Sequence, residues 1–251
     1  MELKLVEMGE GPAVILLHGL FGAARNWGGI QKRLAQGHRV IAPDLRNHGE
    51  SGRAGAMDYA AMAADVAELI ARRGCGPCAV VGHSMGGKVA MALALRHGEL
   101  VCRLVVADIA PVRYPPALRG YVAAMRSLAL TPGLSRREAD AALEPAVPEA
   151  GIRAFLLQSL DFTGDAPVWK LGLAEIATAM PAIEDFTITG RYEGPVLVLA
   201  GERSSYIRPE HHALFRQLFP AARFAVVERA GHWLHADNPN AFLAQLEPFL
   251  A

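Results

Sequence analysis

Short apolar runs alternate along this chain with longer stretches whose Ala, Leu and Met residues recur at helical spacing. That alternation restricts it to an α/β architecture, a mostly parallel sheet with helices on both faces. The runs expected as strands are 13–17, 39–42, 78–81, 104–107, 196–200 and 223–227. A hairpin arm at the N-terminus brings the expected sheet to eight strands. Helices are expected over 57–73, 84–97, 209–219 and 238–250, so that each crossover is filled by one helix. At 251 residues the chain is long enough for one sizeable core, and a single domain spanning 1–251 is expected.

One stretch breaks the rhythm. Residues 111–193 separate two strands with no clear strand between them, and a loop of that length is normally structured or functional. Helical spacing recurs inside it over 117–130, 136–143 and 152–160, punctuated by Pro132, Pro145, Pro148 and Pro167. It reads as a helical cap inserted over the site.

The chemistry is carried by three motifs, each just after an expected strand. Gly82-His83-Ser84-Met85-Gly86-Gly87 lies between a strand and a helix, the setting in which a G-x-S-x-G turn presents a nucleophilic serine. Its glycines leave room for a sharp, strained turn, and the helix that follows adds a positive dipole end beneath the Ser84 hydroxyl. His18-Gly19-Leu20-Phe21-Gly22 follows the 13–17 strand, where the backbone N–H of Leu20 and that of Met85 are expected to form an oxyanion hole. Gly231-His232-Trp233 follows the last strand and supplies the base that takes the Ser84 proton and returns it to the leaving group. His18 is expected to be structural. His38, His48, His83, His97, His211, His212 and His235 are read as loop or surface residues, though His83 adjoins the nucleophile and is a candidate to line the pocket. Phe21, His83, Trp233 and Ser204 are the expected substrate contacts.

The acid that orients His232 is open to two assignments. The loop after 196–200 reads Gly201-Glu202-Arg203-Ser204-Ser205-Tyr206 and has no Asp, whereas Asp108 ends the neighbouring strand. Asp108 is favoured, Glu202 is the alternative, and Asp237 beside Asn238 and Pro239 reads as a helix cap. Ser204 is placed to donate into the acid and histidine network.

Other functions are disfavoured by composition. Lys plus Arg and Asp plus Glu number 25 each, so no net field draws the protein to nucleic acid or acidic lipid. No apolar run approaches the roughly 20 residues of a membrane helix. The first residues carry no signal or transit pattern, and a cytoplasmic enzyme is expected. Three cysteines cannot all pair. Cys75-Gly76-Pro77-Cys78 resembles a redox motif but runs straight into a strand, so a plain turn is expected.

The motifs above, with Asp44-Leu45-Arg46-Asn47-His48-Gly49-Glu50-Ser51, Asp108-Ile109-Ala110-Pro111 and Trp233-Leu234-His235, resemble α/β-hydrolase serine esterases of the bacterial YbfF type and the related abhydrolase-domain-containing protein 11. The resemblance runs over most of the chain. It implies the α/β-hydrolase fold, with the acid after the strand that precedes the cap, at Asp108, and Ser204 where many relatives carry an acid. It also implies a carboxylesterase or thioesterase acting on short to medium acyl chains, acyl-CoA among them. The chain is expected to act as a monomer or homodimer. No metal and no organic cofactor are expected. Arg113, Arg119 and Arg126 in the cap are the candidates for a CoA phosphate. Carbon–carbon bond hydrolase, lyase or perhydrolase chemistry shares the same constellation, and a slow-turnover ligand receptor is the alternative from another class.

Overall fold

A computed structural model describes all 251 residues. The apolar runs form strands β1 (Leu5–Met8), β2 (Ala13–Leu17), β3 (Arg39–Pro43), β4 (Cys78–His83), β5 (Val101–Ala107), β8 (Val196–Gly201) and β9 (Ala222–Val227). A two-stranded ribbon, β6 (Leu160–Asp161) with β7 (Val168–Trp169), lies between β5 and β8 in the chain. The main sheet has the order β1-β3-β2-β4-β5-β8-β9, parallel throughout except for β1.

Seven strands rather than the expected eight form this sheet, because the N-terminal arm supplies one strand and no hairpin. Gly9 and Gly11 have φ of 76° and 109°, and they carry the chain across the start of β3. A Cβ on Gly9 would lie 2.3 Å from His38 O. β1 therefore pairs with β3 from one side, antiparallel, and β2 pairs with it from the other.

The helices are α1 (Gly28–Leu34), α2 (Tyr59–Arg73), α3 (Met85–Arg96), α4 (Arg119–Ser127), α5 (Arg136–Leu143), α6 (Ala150–Leu156), α7 (Leu173–Glu184), α8 (His211–Leu218), α9 (Leu234–Asp237) and α10 (Pro239–Leu250). Alternation along the strands feeds two cores. Ile15 and Leu17 of β2 face a larger cluster shared with α2, α3 and α8, whereas Val14 and Leu16 face a smaller one shared with α1 and α10. Local signals set the ends of the helices. Asp58 accepts from Ala61 N–H at the start of α2, and Gly74 closes it in the left-handed region with φ 56°.

Between β5 and β8 the chain forms α4 to α7 and the short ribbon. The sequence pattern missed α7 because Pro181 lies within it, and missed the ribbon because two-residue strands carry no alternation. No helix is long and apolar enough to cross a membrane. Cys75 and Cys78 are free; they lie after α2 and at the first residue of β4, away from any helix N-terminus.

Candidate active site

β4 delivers Ser84 into the turn before α3 with φ 53° and ψ −121°, a conformation L-residues rarely adopt. The surroundings enforce it. Ser84 N–H donates to Ala107 O at 3.0 Å, and Ser84 O accepts from Gly87 and Lys88 N–H at 2.8 and 3.1 Å. The turn closes only because Gly82 and Gly86 lack side chains. A Cβ on Gly82 would lie 2.1 Å from Gly86 O, and one on Gly86 would lie 2.3 Å from Leu17 O.

The loop after β9 brings His232 Nε2 to 3.1 Å from Ser84 Oγ, and its Nδ1 lies 2.8 Å from Asp108 Oδ2. An ionised carboxylate only accepts, so Nδ1 carries the ring proton and Nε2 presents a lone pair to the Ser84 hydroxyl. Asp108 is fully buried at the end of β5, itself at φ 53°. Its Oδ1 accepts from Gly201 N–H at 3.0 Å, and its Oδ2 also accepts from the Ser204 hydroxyl. Three donors thus compensate the cost of removing this charge from water. Glu202 faces elsewhere, its Oε2 accepting from Arg229 N–H at 2.6 Å. Asp237 accepts from Gly231 N–H at 2.7 Å and steadies the His232 loop, while Asn238 is the residue that caps α10.

The loop after β2 holds one of the two expected oxyanion donors, and the start of α3 holds the other. Leu20 N–H donates to no protein acceptor, and Met85 is the first residue of α3, ahead of the helical ladder. Two histidines brace this loop. His18 Nδ1–H donates to Gly19 O at 2.8 Å and its Nε2 accepts from Leu45 N–H at 2.9 Å. His48 Nδ1–H donates to Arg46 O at 2.9 Å and its Nε2 accepts from Phe21 N–H at 3.2 Å, which fixes Phe21 at φ 65°. Both patterns require neutral rings. Burial holds the His18 pKa below its ordinary value, and burial with the neighbouring His18 ring pulls His48 down to about 3.

His48, in the loop between β3 and α2, is therefore a buried brace and not a surface residue. The same correction applies to His83, His211 and His235, all buried. His83 Nε2–H donates to His232 O at 2.7 Å, which anchors the backbone of the base. Tyr206, which sequence reasoning missed, lays its ring on the His232 imidazole at 3.9 Å and 19°. No motif marks it; only its neighbourhood to Ser204 gives a hint. Ser204 was expected to touch substrate, but its hydroxyl is spent on Asp108.

Two cavities meet at Ser84. The smaller, about 370 Å³, is walled by Tyr59, Met85, Lys88, Ile109, Met180 and Ile183. The larger, about 800 Å³, contains His232 together with Phe21, His83 and Trp233, and is covered by Tyr121, Ile152 and Phe155. Lys88, one helical turn beyond Ser84, is almost fully buried. Its Nζ donates to Val112 O, Glu184 O and Asp185 O at 2.9, 3.1 and 3.0 Å, pinning the two ends of the α4–α7 insertion together. A third, polar depression of about 610 Å³ beside Arg136 and Lys170 does not reach Ser84.

This fold and this serine, histidine and carboxylate geometry place the chain among the α/β-hydrolases. It belongs to the alpha/beta hydrolase family, whose model matches residues 14–246. It is 41% identical over 249 residues to the sn-1-specific diacylglycerol lipase ABHD11 of Mus musculus, covering 96% of this chain and 81% of that protein. It is 32% identical to the esterase YbfF of Escherichia coli, covering 94% of this chain and 92% of the relative. Among solved structures, a marine microorganism esterase superposes with a TM-score of 0.96 at 33% identity, covering 99% of both chains. Family and relatives together mark the protein as a hydrolase and support ester hydrolysis.

Proposed function

We propose that the protein is a serine esterase that cleaves carboxylic esters through an acyl-enzyme, with Ser84 as nucleophile, His232 as general base and acid, and Asp108 as the orienting carboxylate. The observation that carries this reading is the unbroken path from Asp108 through His232 to Ser84 Oγ, with steps of 2.8 and 3.1 Å. His232 Nε2 takes the hydroxyl proton as Ser84 Oγ bonds to the carbonyl carbon, and the carbonyl electron pair moves to oxygen. Leu20 and Met85 N–H groups face that oxyanion; one such donor is worth about 3 kcal/mol. Collapse breaks the bond to the leaving oxygen, which receives the proton from His232. Water then repeats the cycle and releases the acid.

Short to medium acyl esters are the proposed substrates, and the mouse relative's name adds neutral acylglycerols to those worth assaying. Acyl-CoA thioesters are the weaker reading. Arg119 is held by both oxygens of Glu184 at 2.7 and 2.5 Å, and Arg113 lies 4.0 Å from Asp185, so two of the three cap arginines already face carboxylates. The test is steady-state hydrolysis of p-nitrophenyl esters, diacylglycerol and acyl-CoA thioesters of graded chain length, with Ser84→Ala as control. Turnover that depends on Ser84 is expected on the esters. Folded protein inert on every ester would overturn the proposal, and a stall after one equivalent would favour a receptor.

A further inference from the structure

We infer that the two chambers meeting at Ser84 sort the two halves of the ester, the acyl chain entering the smaller chamber and the leaving group the larger. The inference rests on the esterase reading above and follows from where the proton must go. In the tetrahedral intermediate the former carbonyl carbon carries Ser84 Oγ, the oxyanion, the leaving oxygen and the acyl chain. The leaving oxygen must lie within hydrogen-bond reach of His232 Nε2, since the bond to it breaks as that nitrogen gives up its proton. His232 lines the larger chamber and not the smaller. Of the two assigned oxyanion donors, Leu20 lines both chambers and Met85 only the smaller, so the oxyanion sits where the chambers meet. The fourth substituent, the acyl chain, is left with the side away from His232.

The linings then name the substrate class. The larger chamber, about 800 Å³, is walled by the aromatic rings of Phe21, Tyr121, Phe155 and Trp233, which suit a bulky apolar or aromatic alcohol. The smaller, about 370 Å³, has an aliphatic wall of Ile109, Met180 and Ile183. Its one buried cation, Lys88, has all three N–H donors committed to backbone carbonyls, so none is free for an acyl carboxylate. Arg208, the other cation of its lining, is exposed and faces Glu210 at 3.2 Å. The preferred substrate is therefore an ester of an apolar, uncharged acyl chain with an alcohol larger than itself.

The two halves part company in time, which makes the sorting testable. The alcohol has left before deacylation begins, so the aromatic wall of the larger chamber contacts substrate only during acylation, whereas the smaller chamber holds the acyl chain through both steps. Burst kinetics with p-nitrophenyl butyrate separate the two steps for the wild type, Phe155→Ala and Met180→Phe. Phe155→Ala should leave the deacylation rate within about twofold, while Met180→Phe should change it about tenfold, the scale of a methylene-sized mismatch. A second readout needs no variant: the wild type should hydrolyse decyl acetate with kcat/KM about tenfold above that of its isomer ethyl decanoate. Deacylation that responds to Phe155 and ignores Met180, or a preference for ethyl decanoate, overturns the sorting while leaving the esterase intact. Folded protein that turns over none of these esters removes the esterase reading and the sorting with it.

Discussion

The sheet-borne part of the site and the helices that cover it are built in opposite ways. In α3, every residue from Met85 to Ala94 is buried, and Asp108, His18 and His48 around it have each polar atom answered by a named partner. Two of the covering helices expose most of themselves: α4 buries Val122, Ala124 and Met125, and α5 only Ala139 and Leu143. Reacting groups need fixed geometry, which dense packing and satisfied hydrogen bonds provide. A lid that only shapes the chamber tolerates change in composition. Substitutions beneath Ser84 should therefore act on chemistry and global stability, and those in the cover on selectivity.

The sharpest way to break that contrast is at the acid. Asp108→Asn should lower kcat by about 10⁴-fold, as loss of the correct imidazole tautomer does in Ser-His-Asp enzymes, with little change in KM. Glu202→Gln, whose carboxylate is turned to Arg229 N–H, should stay within about twofold on the same scale. Steady-state kinetics of the pair decide it; equal losses would mean that His232 is not oriented as the structure has it.

The next effect is on stability. His48 and His235 are buried and neutral, with pKa values of about 3 and about 4, pulled down chiefly by burial, against about 6.5 when unfolded. Folded pKa values below the unfolded one mean that the unfolded chain binds more protons in the window between them. Their contribution is therefore complete above about pH 6.5, falls progressively below it, and is exhausted near pH 4 for His235 and pH 3 for His48. Denaturant titrations should show a loss of about 2 kcal/mol per group between pH 7 and pH 5. His235 stacks on Trp27 at 4.4 Å and its Nδ1 has no partner, so His235→Phe should preserve the stack and remove its share of the acid sensitivity. An unchanged pH slope in that variant would place the sensitivity elsewhere.

Legibility in the sequence divides along the same line. Apolar runs and glycine spacing disclose six of the strands and the elbow, because backbone geometry dictates those residue types, whereas Asp108 is favoured over Glu202 only because it ends the neighbouring strand and the loop after 196–200 has no Asp. What escaped depends on contacts distant in sequence. His48 looks like one polar residue among many in Asn47-His48-Gly49, and only the fold reveals that it accepts from Phe21 N–H, 27 residues away. Tyr206 stacks on a ring 26 positions later, and α7 was hidden by Pro181. Periodicity reports which face is buried and is silent on which loop meets which.

Lys88 joins the two regions and should give a smaller effect. Burial draws its pKa down to about 7, against the Asp185 and Glu184 carboxylates, which favour the ammonium. With an unfolded value near 10.4, the unfolded chain again binds more protons in between, so this group makes stability rise from pH 7 toward pH 10. Lys88→Met leaves buried carbonyls unanswered and should cost about 1–3 kcal/mol at pH 7. It should also flatten that alkaline rise in thermal denaturation. A variant as stable as the wild type with the slope intact would show that the neck of the cover does not depend on this ammonium.

The smallest effect belongs to the exposed cover. If CoA were the natural leaving group, a phosphate would have to compete with Glu184 for the Arg119 guanidinium, whose two bonds to that carboxylate are already formed. Arg126 has no carboxylate within 4.0 Å and sits on the solvent side of α4. An exposed cation of that kind contributes little to a screened phosphate contact. Arg126→Ala combined with Arg119→Gln should therefore leave the ratio of acyl-CoA to p-nitrophenyl ester kcat/KM, for one acyl chain, within about twofold. A loss confined to the CoA substrate, growing steeper at low ionic strength, would reverse the argument: the cover would then be reading a phosphate through these arginines, and the selectivity assigned to the aromatic chamber would have to be shared with its rim.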